Sequence, residues 1–175
     1  MIVNKLRIFS QNVRKSSLIL NTLLETQNQF DIILIQEPPW SEIRKIPSCA
    51  NCEGEPLIGT SHHPNWISYA RSSPNSDEYP RVIIFINIQF SSLQFLLCID
   101  IFDHRDICLI LFFNNGVCYY ILNVYSDSSH SALKYLKDTE ANISNVLLMM
   151  GDLTSEIVYG IRRSLSILLL AMTLL

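Results

Sequence analysis

Four places in the chain set polar side chains where an apolar run stops: Gln11-Asn12, Gln36-Glu37, Asn123-Val124-Tyr125 and Gly151-Asp152. The second lies inside FDIILIQEPPW, Phe30 to Trp40. Ile32 to Ile35 is a short unalternating run, the pattern of a strand buried on both faces, so Gln36 and Glu37 stand at a sheet edge. Pro38 and Pro39 donate no backbone hydrogen bond and push the residue before them out of the right-handed helical region, so Glu37 is expected on a rigid, extended turn. A carboxylate fixed there suits a hard cation such as magnesium. An ordinary strand ending in a solvated Glu is the plainer reading of the same residues. Polar groups from several strand ends that converge on one rim of an α/β sheet make a ligand site, and these four ends form such a set.

Other residue groups carry weaker chemistry. Cys49-x-x-Cys52 followed by His62-His63 has two thiols and two imidazoles, but the spacing is irregular for zinc. Asp103-His104-Arg105-Asp106 reads as a solvated charged turn, with Arg105 the one member that could face a phosphate. Trp66 and Tyr69 are either stacking platforms for bases or core residues. Ser126, Asp127 and His130 stand at a predicted helix start, where capping accounts for them.

The elements that must position these groups are legible from periodicity. KLRIFSQN, Lys5 to Asn12, reads as a strand, and Ser16 to Gln29 carries Leu20, Leu23, Leu24 and Gln27 at helical spacing. With the strand over Asp31 to Gln36 they predict a βαβ unit with parallel or mixed pairing. Trp40 to Asn65, punctuated by Pro47, Pro56 and Pro64, reads as a long polar loop of the kind that is functional or disordered. Trp66 to Ala70 and Arg81 to Asn87 are strand candidates separated by the turn-rich SSPNSDEYP. Asp106 to Phe113 and Val117 to Tyr125 flank Asn114-Asn115-Gly116, a hairpin signal because Asn-Gly tolerates positive φ. A helix capped near Asp127 is expected to reach about Ile143, with Leu133, Leu136 and Ile143 on one face. Val146 to Met150 is the last expected strand, ending in Gly151-Asp152.

Composition sets bounds. A length of 175 residues suits one domain. Hydrophobic residues reach 49% and charged ones only 17%, against about 25% in ordinary domains, so the chain reads as a core with too little surface. A net charge of −3 advertises no global basic field for nucleic acid. Five cysteines, an odd number without a framework, fit a reducing compartment. MIVNKLRIF lacks the pattern of a signal peptide, so an intracellular protein is expected, nuclear or cytoplasmic. The apolar stretch from Leu165 to Leu175 is too short for the roughly 20 residues that cross a bilayer, and extending it back meets Arg162 and Arg163. No membrane partner is expected.

QN, QEPPW, LNVYSDSS and MGD, in this order and spacing, resemble the endonuclease/exonuclease/phosphatase domain, and look most like its form in fungal non-LTR retrotransposons. The resemblance covers Lys5 to Asp152 and implies an α/β fold: a DNase-I-like two-sheet β-sandwich flanked by helices, incomplete at the C-terminus. It divides the chain into a partial domain over 1–152 and a divergent apolar tail over 153–175. It implies a Mg2+- or Mn2+-dependent phosphodiesterase acting on the DNA backbone. Glu37 would ligate the metal, with Asn12 beside it supporting metal and scissile phosphate. Tyr125 would contact the phosphate and Asp152 would orient or deprotonate the attacking water. Phosphodiester hydrolysis needs charge neutralised on the phosphoryl oxygens, a placed water and help for the leaving oxygen. Arg105 and Thr154 are secondary candidates for binding substrate.

The sequence also departs from that pattern. Leu153 and Thr154 stand where the family has an aromatic residue and Asn, and Thr154 offers a shorter hydroxyl. The family's later catalytic Asp and its terminal Asp-His pair have no counterpart, since no histidine follows His130. Impaired or lost hydrolysis is therefore expected, and the alternatives are a remnant that binds nucleic acid or a partner without turnover, or a pseudogene product.

Overall fold

The computed structural model describes residues 6–46, 55–71, 79–90, 93–114, 116–139 and 146–152, with side chains left undescribed for 42–46, 55–58 and 146–152. The elements in chain order are β1 (Ile8–Asn12), α1 (Ser17–Thr26), β2 (Ile32–Gln36), β3 (Ser41–Ile46), β4 (Glu55–Gly59), β5 (Trp66–Tyr69), β6 (Val82–Asn87), β7 (Phe95–Leu97), β8 (Ile107–Asn114), β9 (Val117–Tyr125), α2 (Ser131–Asp138) and β10 (Val146–Asp152), with one 3-10 turn at Ile88–Phe90. They form two four-stranded sheets, β1-β2-β6-β5 and β10-β9-β8-β7, and a separate β3-β4 ribbon. β1 and β2 run parallel, as the βαβ reading requires, and so do β10 and β9; the remaining pairs are antiparallel.

Strand period explains the layering. Ile32 and Leu34 of β2, with Val82, Ile84 and Ile86 of β6, point into the space between the sheets and meet Cys108, Ile110, Phe112 and Ile121 of the second sheet. The alternate residues Ile33, Ile35, Ile83 and Phe85 point outward under Leu20, Leu23 and Leu24 of α1. On the other side Ile107, Leu109, Leu122 and Val124 lie under Ala132, Leu133 and Leu136 of α2. Strands covered on both faces need apolar residues at successive positions, which is why β2 and β6 are buried throughout. Each fully buried Ile or Leu contributes roughly 1.5–3 kcal/mol of transfer free energy. Burial pushes the Cys108 thiol up to about 12, as befits a core residue.

Local signals hold the helices and the hairpin. Ser16 Oγ accepts from the Ile19 N–H at 3.3 Å and caps α1. The β8-β9 hairpin closes with Asn114 paired to Val117, and Gly116 at φ 76 supplies the positive dihedral of a tight turn.

Two expectations change. The stretch Trp40 to Asn65 is not one long loop, because β3 and β4 pair within it; Pro56 is tolerated in β4 because a two-stranded ribbon leaves outward N–H positions unpaired. The helix expected to reach Ile143 stops at Asp138, where Thr139 turns extended, and Ile143 lies outside the described residues. β10 runs from Val146 to Asp152 and ends in Gly151-Asp152 as expected. β7 is three residues long, too short for its periodicity to be legible. Among the described residues no helix is long and apolar enough to cross a membrane. Residues 153–175, and with them the apolar tail, lie outside the described residues.

Candidate functional site

The rim at the C-terminal ends of β1, β2, β9 and β10 begins with a bond inside the sandwich. Ser10, Gln36 and Asn123 share the inward parity of their strands, and at the end of the core that parity brings polar groups face to face. Gln36 Nε2 donates to Asn123 Oδ1 at 2.7 Å and to Ser10 Oγ at 3.1 Å. Asn123 Nδ2 donates to the carbonyls of Ile35 and Ile83 at 3.0 and 2.9 Å. Asn123 is fully buried and Gln36 nearly so. A buried amide with every partner in place fixes the relative position of the sheets, because any slip would leave several dipoles unpaired.

Glu37 comes next in the chain. Its backbone is left-handed, φ 48, rather than the extended turn expected from Pro38. Two backbone bonds explain the difference: Glu37 N–H donates to the Arg81 carbonyl at 2.7 Å, and Lys15 N–H donates to the Glu37 carbonyl at 2.8 Å. Arg14 and Lys15 have positive φ as well, 50 and 59. Three left-handed non-glycine residues at one rim store backbone strain of about 1–3 kcal/mol each. Asn12, paired to Gln36 at the end of β1, accepts from the Arg14 N–H at 2.8 Å through its side-chain oxygen.

Across the rim Tyr125 ends β9. Its N–H donates to the Asp106 carbonyl at 2.9 Å, and its ring lies under the Arg81 guanidinium, 4.8 Å from carbon to centroid. Arg81 Nε donates to Asp106 Oδ1 at 2.5 Å, and Nη2 bonds Asp106 Oδ2 and, at 2.9 Å, Asp127 Oδ2. Burial works against the Arg81 charge, but the bonds to Asp106 and Asp127 outweigh it and raise its pKa. Bonds from Ser129 and then from Arg81 hold the Asp127 carboxyl far below the usual range. Asp127 also accepts from the Ser131 N–H at 3.4 Å, so it does serve the start of α2 while His130, at φ 54, occupies the cap position without a side-chain cap bond. Ser126 Oγ and His130 Nδ1 share a hydrogen bond of 2.9 Å.

Asp152 sits at the register position beside Tyr125 in the parallel β9-β10 pair, and β10 lies against β1 and β2. The backbone positions of Asn12, Glu37, Tyr125 and Asp152 thus share one rim. Arg105, with Arg71, Arg81, His104, Asp127 and Ser129, borders an open cleft of about 530 Å3 beside it. Arg105 Nε is 3.8 Å from Asp106 Oδ1, and its carbonyl accepts from the Arg81 N–H at 2.8 Å. Thr154, Cys49 and Cys52 lie outside the described residues.

One assignment changes and one open alternative is resolved. Asp106, read as part of a solvated turn, is fully buried beneath Arg81. Trp66 is a core residue whose indole N–H donates to the Leu24 carbonyl at 2.9 Å, and half-buried Tyr69 packs against the core between the sheets. Arg81 and the Asp106–Asp127 clamp are not visible from the sequence. The one available signal is a charged residue directly before each of two buried strands, Arg81 before β6 and Asp106 before β8.

Glu37 and Asn12 offer donors of the kind that a hard dication takes. The half-buried Glu37 carboxylate accepts no hydrogen bond among the described residues, and the Asn12 side-chain oxygen keeps a lone pair beyond its bond to Arg14. Both are hard oxygen donors. Among the described residues no three His, Cys, Asp or Glu side chains converge on a point.

The chain aligns with the endonuclease domain of TRAS1, a telomere-specific non-LTR retrotransposon, at a TM-score of 0.51 and 13% identity over 78% of this chain and 52% of that one. The fold is DNase-I-like. A crystal structure of humanized D. rerio TDP2 aligns at a TM-score of 0.49 and 14% identity over 89% of this chain and 66% of that one. No family model and no curated protein sequence matches the chain. The chain spans about half the length of the TRAS1 domain it matches. The DNase-I-like sandwich is the one the sequence motifs led us to expect, with helices on its outer faces.

Proposed function

We propose that the rim is a metal-dependent phosphodiesterase site of endonuclease type, with the DNA backbone as substrate. The observation that carries this reading is the meeting of Asn12, Glu37, Tyr125 and Asp152 positions on one rim of a DNase-I-like sandwich. Glu37 and Asn12 would hold Mg2+ or Mn2+, which when bound neutralises charge on the phosphoryl oxygens. Tyr125 presents its phenol to the phosphate, and Asp152 takes the proton of the attacking water or orients it. Arg105, on the cleft beside the rim, offers a cation to a neighbouring phosphate. The strained Glu37 turn supports the same reading, since strain is retained where geometry is needed for chemistry.

A second reading has its own observation. Leu153-Thr154 come directly after Asp152, where the resembled motif has an aromatic residue and Asn. Hydrolysis by these residues alone is therefore proposed to be slow or absent, leaving DNA binding without turnover. One experiment separates the two. Purified protein is incubated with supercoiled plasmid in magnesium, and its binding to a labelled duplex is titrated against salt in calcium. Nicking that vanishes in Glu37→Ala supports the enzyme, whereas binding that weakens steeply with salt and leaves the plasmid intact supports the binder. A chain that neither nicks nor binds DNA refutes both.

A further inference from the structure

We propose that Arg81 is a positioning residue of this rim: its backbone anchors the Glu37 turn while its guanidinium, clamped by Asp106 and Asp127, fixes the Tyr125 ring relative to that turn. The proposal rests on the phosphodiesterase reading for its functional meaning, though not for its geometry. Glu37 belongs to one sheet and Tyr125 to the other, so a shared reaction centre needs something that spans the gap. Arg81 does so from a single position. Its carbonyl accepts the Glu37 N–H at 2.7 Å, and its guanidinium carbon stands 4.8 Å from the Tyr125 centroid.

The clamp makes this a support rather than a phosphate ligand. Among the described residues the hydrogen bonds of the guanidinium all go to carboxylate oxygens, two on Asp106 and one on Asp127. Asp106 is fully buried at the start of β8, and its own carbonyl takes the Tyr125 N–H. Asp127 is tied to Ser129 through Oδ1 at 2.6 Å. Two carboxylates against one guanidinium hold the cation against the pull of an incoming phosphate. Arginine is required because its planar fork can pair bidentately and stack on an aromatic face at once, which the point charge of lysine cannot do.

The test uses the full chain with ring-13C tyrosine, in wild type, Arg81→Met, Arg81→Lys and Asp127→Asn, with Tyr125 assigned by its loss in Tyr125→Phe. Arg81→Met should shift the Tyr125 ring signal most, and Arg81→Lys and Asp127→Asn less. Tyr119, stacked on Phe112 at 5.4 Å, should stay in place as the control. Should Arg81→Met fail to fold, the other two variants decide, and a Tyr125 signal unmoved in both overturns the proposal. The functional arm measures nicking or duplex binding. Arg81→Lys alone should lose on the order of ten- to a hundredfold and should lose nothing further in a Tyr125→Phe background. Additive losses overturn the coupling. If wild type neither nicks nor binds, the phosphodiesterase reading fails while the tyrosine spectra still decide the geometry.

Discussion

Two aspartates stand just before buried strands, each paired with an arginine, and they do different work. Asp31 precedes β2 at the end of the sheet away from the rim. Its carboxylate takes the Arg7 N–H at 2.8 Å and Arg7 Nη2 at 2.7 Å, while the Arg7 side chain stays 52% exposed. Every partner of the carboxylate belongs to Arg7, the residue before β1, so the ion pair closes one parallel strand junction, while the Asp31 carbonyl separately accepts the Asn87 N–H of β6 at 2.9 Å. Asp106 precedes β8 near the rim and is fully buried. Its carboxylate holds Arg81 from the first sheet and accepts from Ser131 Oγ at the start of α2 at 3.4 Å, and its carbonyl holds Tyr125. The same ion-pair chemistry is a local staple in one place and a lock between sheets in the other. Both aspartates are buried, so what separates them is how many elements depend on the carboxylate and how far the arginine is exposed to water.

The sharpest way to break this comparison is to delete each carboxylate. Asp106→Ala leaves Arg81 half-buried without its main partner, and losing one member of a buried pair costs about 3–5 kcal/mol. Asp31→Ala frees Arg7 into solvent, where water can take the place of the carboxylate, so a clearly smaller loss is expected. Urea denaturation midpoints at pH 7 measure both. Equal losses would mean that the Asp106 cluster is no more than a second staple.

A somewhat smaller effect tests the other link between the sheets. Asn123→Ala strands the Ile35 and Ile83 carbonyls and the Gln36 side chain in a dry interior. The expected cost is on the order of 3 kcal/mol, since each orphaned group costs about 1–3 kcal/mol and some relaxation offsets the sum. A loss below about 1 kcal/mol would indicate that water fills the gap, and would make Arg81 the main tie across the rim.

These links explain what can be read in the chain and what cannot. Ile32 to Ile35 announce a doubly covered strand because burial on two faces needs nothing but apolar residues in sequence. Asn114-Asn115-Gly116 announces a hairpin because its dihedrals are local, and Leu20, Leu23 and Leu24 announce the buried face of α1 by spacing alone. The polar strand ends at Asn12, Glu37, Tyr125 and Asp152 can be placed on one rim because a strand's end is a position in sequence as well as in space. Arg81 offers no such sign. Its partners lie 25 and 46 residues away, and only the antiparallel return of β6 and the hairpin β8-β9 bring them together. Asp106 is hidden for the same reason: DHRD reads as a solvated turn, Asp103 and Arg105 are indeed exposed, and only the last residue turns inward to Arg81. The left-handed Glu37 is illegible too, because the bonds that impose it come from Lys15 and Arg81 rather than from Pro38.

The smallest effect expected is also the one that samples the lock without deleting any of it. Burial in front of Tyr135 lowers the His104 pKa; Asp106 pulls the other way, and Arg81 and Arg105 add to the lowering. The folded state therefore resists a proton that the unfolded chain accepts below about pH 6.5, and stability should decline as pH falls through that value. Asp127 acts in a lower window. Its folded pKa is depressed, so its contribution is complete above the unfolded value of about 4 and is lost as pH falls below it. Melting temperature against pH should thus fall in two steps, the first flattened by His104→Gln and the second by Asp127→Asn. The variants are informative in opposite ways: His104 reports the desolvation around Asp106, whereas Asp127 reports its bond from Ser129 and, after it, its pairing with Arg81. If Asp127→Asn leaves the acid step untouched, the clamp on Arg81 belongs to Asp106 alone, and the lock between the sheets narrows to one buried carboxylate.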